Sequence, residues 1–210
     1  MTRIVEPRNR RSRDTRAAIL DAAWRLLQTE GGAGLSMSAV AQTSGVSRRG
    51  LYLHFASRGQ LFIDLFAHIN ERLDLHASLD PMIEASSAVD ALDAWARHAA
   101  GYQSRLIGVV RAVDRARGAD LDAEALWQQA MADWHHLCLA LAGRLADEGM
   151  LSDPWTIATA ADLLWSLMSV ELIDDLMTEQ GWSSEELAER LRVLVRRTLI
   201  APAGDRPDVP

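Results

Sequence analysis

Two adjacent arginines, Arg48 and Arg49, follow a Gly45-Val46-Ser47 turn and precede the short run Leu51-Tyr52-Leu53-His54-Phe55. A serine in that position is a helix N-cap, its hydroxyl oxygen accepting from an N–H two or three residues on. The spacing predicts a short helix over 48–55 with Ser47, Arg48, Arg49 and Gly50 at its start. The unpaired N–H groups of a helix start carry partial positive charge and suit a phosphate. A guanidinium can make two parallel hydrogen bonds to a guanine edge, worth roughly 1–3 kcal/mol of discrimination, or can bind phosphate instead. The chemistry on offer is recognition of nucleic acid. Arg48 and Arg49 are the candidate base readers.

Such a turn works only if other elements hold it. From Asp14 the pattern becomes helical: Ile19, Ala23 and Leu26 share a face with Leu20 and Leu27 beside them. Gly31-Gly32-Ala33-Gly34 stops this first helix. Ser36 caps a second through Val40 and Ala41, Gly45 breaks the chain, and Ser57 caps a fourth helix beginning at Arg58. Gly45 can take positive φ without steric cost, which lets the second and third helices cross steeply. Val40, Val46, Leu51 and Phe55 have the spacing to pack on Ile19, Ala23 and Leu26. This is the outline of a helix-turn-helix.

The charge distribution agrees. Net charge is −7, yet residues 1–60 carry ten arginines against four acids, and the remaining residues carry twelve against twenty-five. A basic head on an acidic body is expected when one end alone meets phosphate. Residues 1–13 read as a flexible basic arm whose Arg8, Arg10, Arg11 and Arg13 could follow a minor groove. The lone cysteine, Cys138, excludes an intrachain disulfide framework and fits a reducing compartment. No apolar run is long enough for a membrane span, and no apolar segment follows the N-terminal arginines as a secretory signal requires, so a cytoplasmic protein is expected. Nucleophile elbow, phosphate loop, zinc-helix motif and dinucleotide fingerprint are all missing, so no enzyme and no cofactor is expected.

The segment from Arg16 to Leu61 resembles the head of the TetR family of regulators. The resemblance rests on Arg16, Ile19-Leu20, Ala22-Ala23, Gly31, Val40-Ala41, Gly45-Val46-Ser47 and Leu51-Tyr52-Leu53-His54-Phe55, in that order and spacing. It implies a sequence-specific DNA-binding regulator, a repressor released from its operator by a small molecule. Control by a protein partner, no ligand at all, or activation are the alternatives. It also implies phosphate contacts from Tyr52, His54, the Ser36 region and Arg58. Two positions depart from the family pattern. Gly50 stands where threonine or alanine is common, at a helix cost of about 1 kcal/mol relative to alanine. Leu53 replaces a polar or aromatic residue, which removes a candidate reader.

Four segments are expected: the arm at 1–13, a head at 14–57, a helical effector-binding and dimerisation body at 58–200, and a disordered tail at 201–210. The fold class is all-α, about nine helices in total. The body helices are expected over 58–77, ended before Asp80-Pro81, then 87–104, 105–117, 120–148, 154–179 and 184–200. The stretch 154–179 is apolar around most of its circumference and must be covered on opposite faces. By the resemblance it pairs with the last helix and their counterparts in a second chain, through Leu163, Leu167, Val170, Leu187, Leu191, Leu194 and Val195; an intrachain core is the alternative. The family plan also places an effector pocket in the body, with Trp95, His98, Tyr102, Met131, Trp134, His135, Trp165 and Met168 as candidates for an apolar or aromatic ligand. No metal site is expected, since no pair among His98, His135 and Asp133 has i, i+4 ligand spacing.

Overall fold

A computed structural model describes residues 10–30 and 35–202. Two compact units divide the chain: residues 1–73 with 108–127, and residues 74–107 with 128–210. This division by packing does not follow the boundary drawn at 57/58, because the fourth helix belongs with the first three. The chain passes between units at Leu73-Asp74, and again inside two helices, at Ile107-Gly108 and Trp127-Gln128.

The first unit is built from α1 (Arg10–Glu30), α2 (Met37–Ser44), α3 (Arg48–His54) and α4 (Arg58–Arg72). Helix α1 starts four residues before Asp14, so Arg10, Arg11 and Arg13 are helical and not part of an irregular arm. Arg8 and residues 31–34 lie outside the described residues. Ile19, Ala22, Ala23 and Leu27 of α1 are buried, as are Val40, Leu51 and Phe55, and α4 adds Leu61, Phe62, Leu65 and Ile69. The parts of α7 (Ser104–Arg117) and α8 (Leu121–Asp147) in this unit complete its core with Val109, Ala112, Val113 and Ala123. Gly108 permits a close approach here: a Cβ on it would stand 3.0 Å from the Leu27 carbonyl oxygen.

Polar locks fix α1 to α4. The Asp21 carboxylate accepts from Arg72 at 2.8 and 3.1 Å and lies 2.7 Å from His68 Nε2, while Arg16 pairs with Asp64. Salt bridges at a surface contribute little singly, about 0–1 kcal/mol each. Their use here is orientation.

The second unit contains α5 (Leu75–Ile83), α6 (Ala88–His98), a π-helical turn (Ala99–Gln103) leading into α7, the rest of α8, α9 (Ile157–Ser166), α10 (Val170–Asp174), a second π turn (Asp175–Glu179) and α11 (Ser184–Leu199). Two of the expected helices are divided. Asp74 at φ 52° ends the run from Arg58 and caps α5, accepting from Ala77 N–H. Pro81 then sits inside α5, not beyond its end. The expected 154–179 helix starts only at Ile157, where Thr156 and Thr159 form a reciprocal capping box, and breaks again at Ser169, which caps α10. Ser183 caps α11 by accepting from Glu186 N–H. The Glu186 carboxylate lies 3.5 Å from Arg190, one turn along.

The core of this unit holds Leu92, Trp95, Cys138, Leu141, Leu145, Leu164, Ile173, Leu187, Leu191, Val195 and Leu199. Asp93 and Arg196 join α6 to α11 through two hydrogen bonds of 2.6 and 2.7 Å. Glu148 accepts from Ala88 N–H at the start of α6, where a carboxylate also meets the helix dipole. Ala201, expected in a disordered tail, is buried and donates to the Met150 carbonyl; residues 203–210 lie outside the described residues. The fold is all-α, and no described helix is long and apolar enough to cross a membrane.

Candidate nucleic-acid interface

Helix α3 is fixed at both ends. Ser47 Oγ accepts from Gly50 N–H at 3.0 Å, and the Phe55 N–H returns to the Leu51 carbonyl. Before it, Gly45 at φ 71° closes α2, and Val46 N–H bonds back to the Ala41 carbonyl at 3.1 Å. Leu51 and Phe55 are fully buried and mark the inner side of α3, and the Phe55 ring is covered by Arg16 of α1. The outer side then follows from helix geometry. Arg48 and Tyr52 are four residues apart, as are Arg49 and Leu53, so the four side chains form two neighbouring ridges. Arg48 and Arg49 are exposed, Tyr52 is 44% exposed and Leu53 81%. Among the described residues neither arginine makes an ion pair. Both guanidiniums are free to meet an outside partner.

The expected phosphate contacts surround this outer side in sequence. Ser36 is exposed, its Oγ accepting from Ala39 N–H at 3.1 Å, so its own O–H can still donate. Arg58 is exposed at the start of α4, its guanidinium 5.1 Å from the centre of the Phe62 ring. His54 is half-buried with its ring tilted against Phe55. Arg16 is structural. It pairs with Asp64, and its guanidinium covers the Phe55 ring at 4.9 Å. Gly50 has an ordinary helical backbone; a Cβ there would meet Ser47 Oγ at 3.2 Å, so only the capping hydroxyl would have to yield.

Two features were not legible in the sequence. Leu53, which stands where a polar reader is missing, is the most solvent-exposed of the apolar side chains on α3. The start of α4 is held by acids at the first turn of α8: Ser57 donates to Asp122 Oδ2 at 3.1 Å, and Asp120 Oδ1 lies 2.6 Å from where a Cβ on Gly59 would be. The signal available was a glycine in the first turn of an otherwise well-capped helix.

In the second unit the aromatic candidates divide. His98 stacks on Tyr102, with ring centres 5.0 Å apart and planes 16° apart, and Trp134 tilts against it, also at 5.0 Å. Trp95 Nε1–H donates to Met168 Sδ at 3.2 Å, within the same unit's core. Burial pushes the Tyr102 hydroxyl pKa up and the Cys138 thiol up to about 12. His135 and Trp165 are elsewhere. His135 lies 3.0 Å from Asp162 at the surface, and Trp165 is 38% exposed; Met131 is half-buried. A groove of about 610 Å³ along α6 and α11 is lined by Asp93, Arg97, Ser183, Glu186, Glu189 and Arg192. It is charged and does not suit an apolar ligand.

The residues expected at a dimer interface also divide. Leu187, Leu191, Val195 and Val170 are buried within their own chain. Leu187, Leu191 and Val195, all on α11, belong to the core of the second unit. Leu163 and Leu167 are half-buried, and Leu194 remains 46% exposed.

Residues 19–65 match the family model of bacterial regulatory proteins of the tetR family. Over 214 aligned residues the chain is 26% identical to the HTH-type transcriptional regulator EthR of Mycobacterium tuberculosis, covering 97% of this chain and 85% of EthR. Among solved structures, a transcriptional regulator from Saccharomonospora viridis in complex with choline superposes with a TM-score of 0.75 at 18% identity, covering 90% of this chain and 100% of that one. NalD, the secondary repressor of the MexAB-OprM efflux pump in Pseudomonas aeruginosa, does so with 0.70 at 22%, covering 92% and 100%.

Proposed function

We propose that this chain, which belongs to the TetR family of helix-turn-helix regulators, is a DNA-binding repressor that leaves its operator when a small molecule binds the helical body. The observation that carries the reading is the exposure of Arg48 and Arg49 on the first turn of a helix whose cap and inner face are both fixed. A rigid frame matters because a misplaced guanidinium loses its paired geometry to a base edge.

In this reading Arg48 and Arg49 read base edges in the major groove, while Ser36, Ser47, Tyr52, His54 and Arg58 position the head on phosphates, with the Gly50 backbone close beside them. Leu53 adds an apolar contact to a thymine methyl, since a leucine left in water beside the reading side chains otherwise has no packing to gain. One seven-residue helix reads few base pairs, so two copies related by a two-fold axis read two half-sites. Leu194, with Leu163 and Leu167, belongs to the surface that joins them.

The effector acts by preference. It lowers DNA affinity only as far as it binds the non-operator arrangement more tightly, typically by about 1–3 kcal/mol of coupling. Helices α7 and α8 each continue from one unit into the other, which gives such a preference a covalent route. The choline bound to the Saccharomonospora viridis regulator and the stearoyl-CoA bound to FadR of Bacillus subtilis support a body able to take small molecules. Operator binding in the presence of a compound library, with thermal shift in parallel, tests the reading. Compounds that raise the melting temperature and release DNA are expected; stabilising compounds that never alter DNA binding contradict ligand release.

A further inference from the structure

His98 ends α6 at the point where the helix widens into the Ala99–Gln103 π turn. Inserted π turns frequently mark functional sites. The imidazole is 2% exposed and its two nitrogens are treated unequally. Nδ1 lies 2.8 Å from Ser78 Oγ, and hydrogen bonding to Ser78 favours the protonated form of the ring. The Ser78 hydroxyl can accept as well as donate, and with the Nδ1 hydrogen given to it the neutral ring has none left on Nε2. Burial holds the imidazole pKa down at about 4, which leaves the ring neutral near pH 7. Nε2 is then a bare lone pair, and among the described residues it has no hydrogen-bond partner. A buried polar atom left unpaired is costly, and native proteins rarely keep one without a use.

The rings around it define what could satisfy it. Tyr102 stacks on the imidazole and Trp134 leans on it from α8. Trp134 is only partly buried, so it is the side chain whose rotation would admit a guest. We propose that His98 Nε2 is the polar anchor of the effector site, and that the effector is a small aromatic molecule presenting a hydroxyl or N–H donor to it. The inference rests on the ligand-released reading given above, and narrows it from any apolar compound to a donor-bearing aromatic one. A carbonyl or ether oxygen at the same place would set two lone pairs against each other, and a cation would have no counter-charge from the histidine.

Short alkylphenols and their methyl ethers, the matched alkylanisoles, are the probes. They share shape and apolarity but differ in the donor. Binding is read by quenching of tryptophan fluorescence, and the imidazole nitrogens by their NMR shifts. The phenol is expected to bind the wild-type protein about tenfold or more tightly than the anisole and to move the Nε2 resonance alone, since one hydrogen bond to a desolvated acceptor separates the two. His98→Phe, which keeps a planar ring, is expected to abolish the discrimination and to raise the melting temperature. Equal affinity for phenol and anisole, no phenol binding at all, or a free-protein spectrum with the hydrogen on Nε2 overturns the proposal. Any of these leaves ligand release itself intact if another compound class displaces DNA; failure of every compound to displace DNA while phenols bind at His98 overturns release and keeps the site.

Discussion

Arg48 and Arg49 carry no structural duty that the fold would miss, and this makes them clean to test. Truncating either to alanine is expected to weaken operator binding by about 5- to 150-fold, the range for losing one paired base contact of about 1–3 kcal/mol. The helical circular-dichroism signal is expected to stay unchanged, and a mutant that lost helicity instead would show the pair to be structural. For Leu53 the partner atom can be removed from the DNA side. Replacing thymine by uracil at the contacted position is expected to weaken the wild-type protein severalfold and to leave Leu53→Ala indifferent; equal losses in both would remove the methyl contact. His98 makes a stability prediction with a definite sign. Its folded pKa of about 4 lies below the ordinary value of 6.5, so the unfolded chain binds the extra proton more readily between these values. Stability is therefore fully present above pH 6.5 and lost as pH falls through 4, by up to about 3 kcal/mol. Urea midpoints of the wild type and His98→Phe at pH 7 and pH 4.5 isolate the effect, because the other groups titrate in both. A wild type that loses no more than the variant would contradict a buried neutral imidazole.

Local signals placed most of the helices of the head. Ser36, Ser47 and Ser57 each precede a helix and each accepts from the N–H three residues on, because capping depends on neighbours in sequence alone. The body was less legible for the complementary reason. Nothing near Asp74 announces that it takes φ 52°, Pro81 is tolerated inside α5, and the apolar stretch 154–179 looks continuous although it is cut at Ser169. Those breaks are set by what the segment packs against. The same limit separated His98, Tyr102 and Trp134, which do meet, from His135 and Trp165, which the spacing could not distinguish from them. Two element-scale substitutions follow. Ser47→Ala removes the cap of a seven-residue helix and is expected to cost about 1 kcal/mol while reducing DNA affinity through loss of α3 order; an unchanged melting curve would show that tertiary packing alone holds it. Gly59→Ala drives a methyl into Asp120 and Asp122 and is expected to cost about 1–3 kcal/mol by overpacking. Recovery of part of the lost stability in Gly59→Ala with Asp122→Gly, which removes the Asp122 Cβ as well as its carboxylate, would assign that cost to this contact, and no recovery would place it elsewhere.

The molecule as a whole carries net charge −7, and its capacity to bind DNA lies in where the charge sits and not in its sum. Acids concentrated after residue 60 repel a phosphate backbone and favour approach by the basic head. A pair of such heads presents the exposed Arg48, Arg49 and Arg58 twice, so binding must release counterions in proportion to the phosphates neutralised. Affinity for the DNA flanking its own gene, measured from low to high salt, tests this most directly. If a dimer neutralises about 8 phosphates, log K falls with log salt at a slope of about −7, and Arg58→Ala makes it shallower by roughly 2. A salt-independent affinity, or the same slope and affinity with Arg48 and Arg49 both replaced by alanine, would contradict DNA reading by α3.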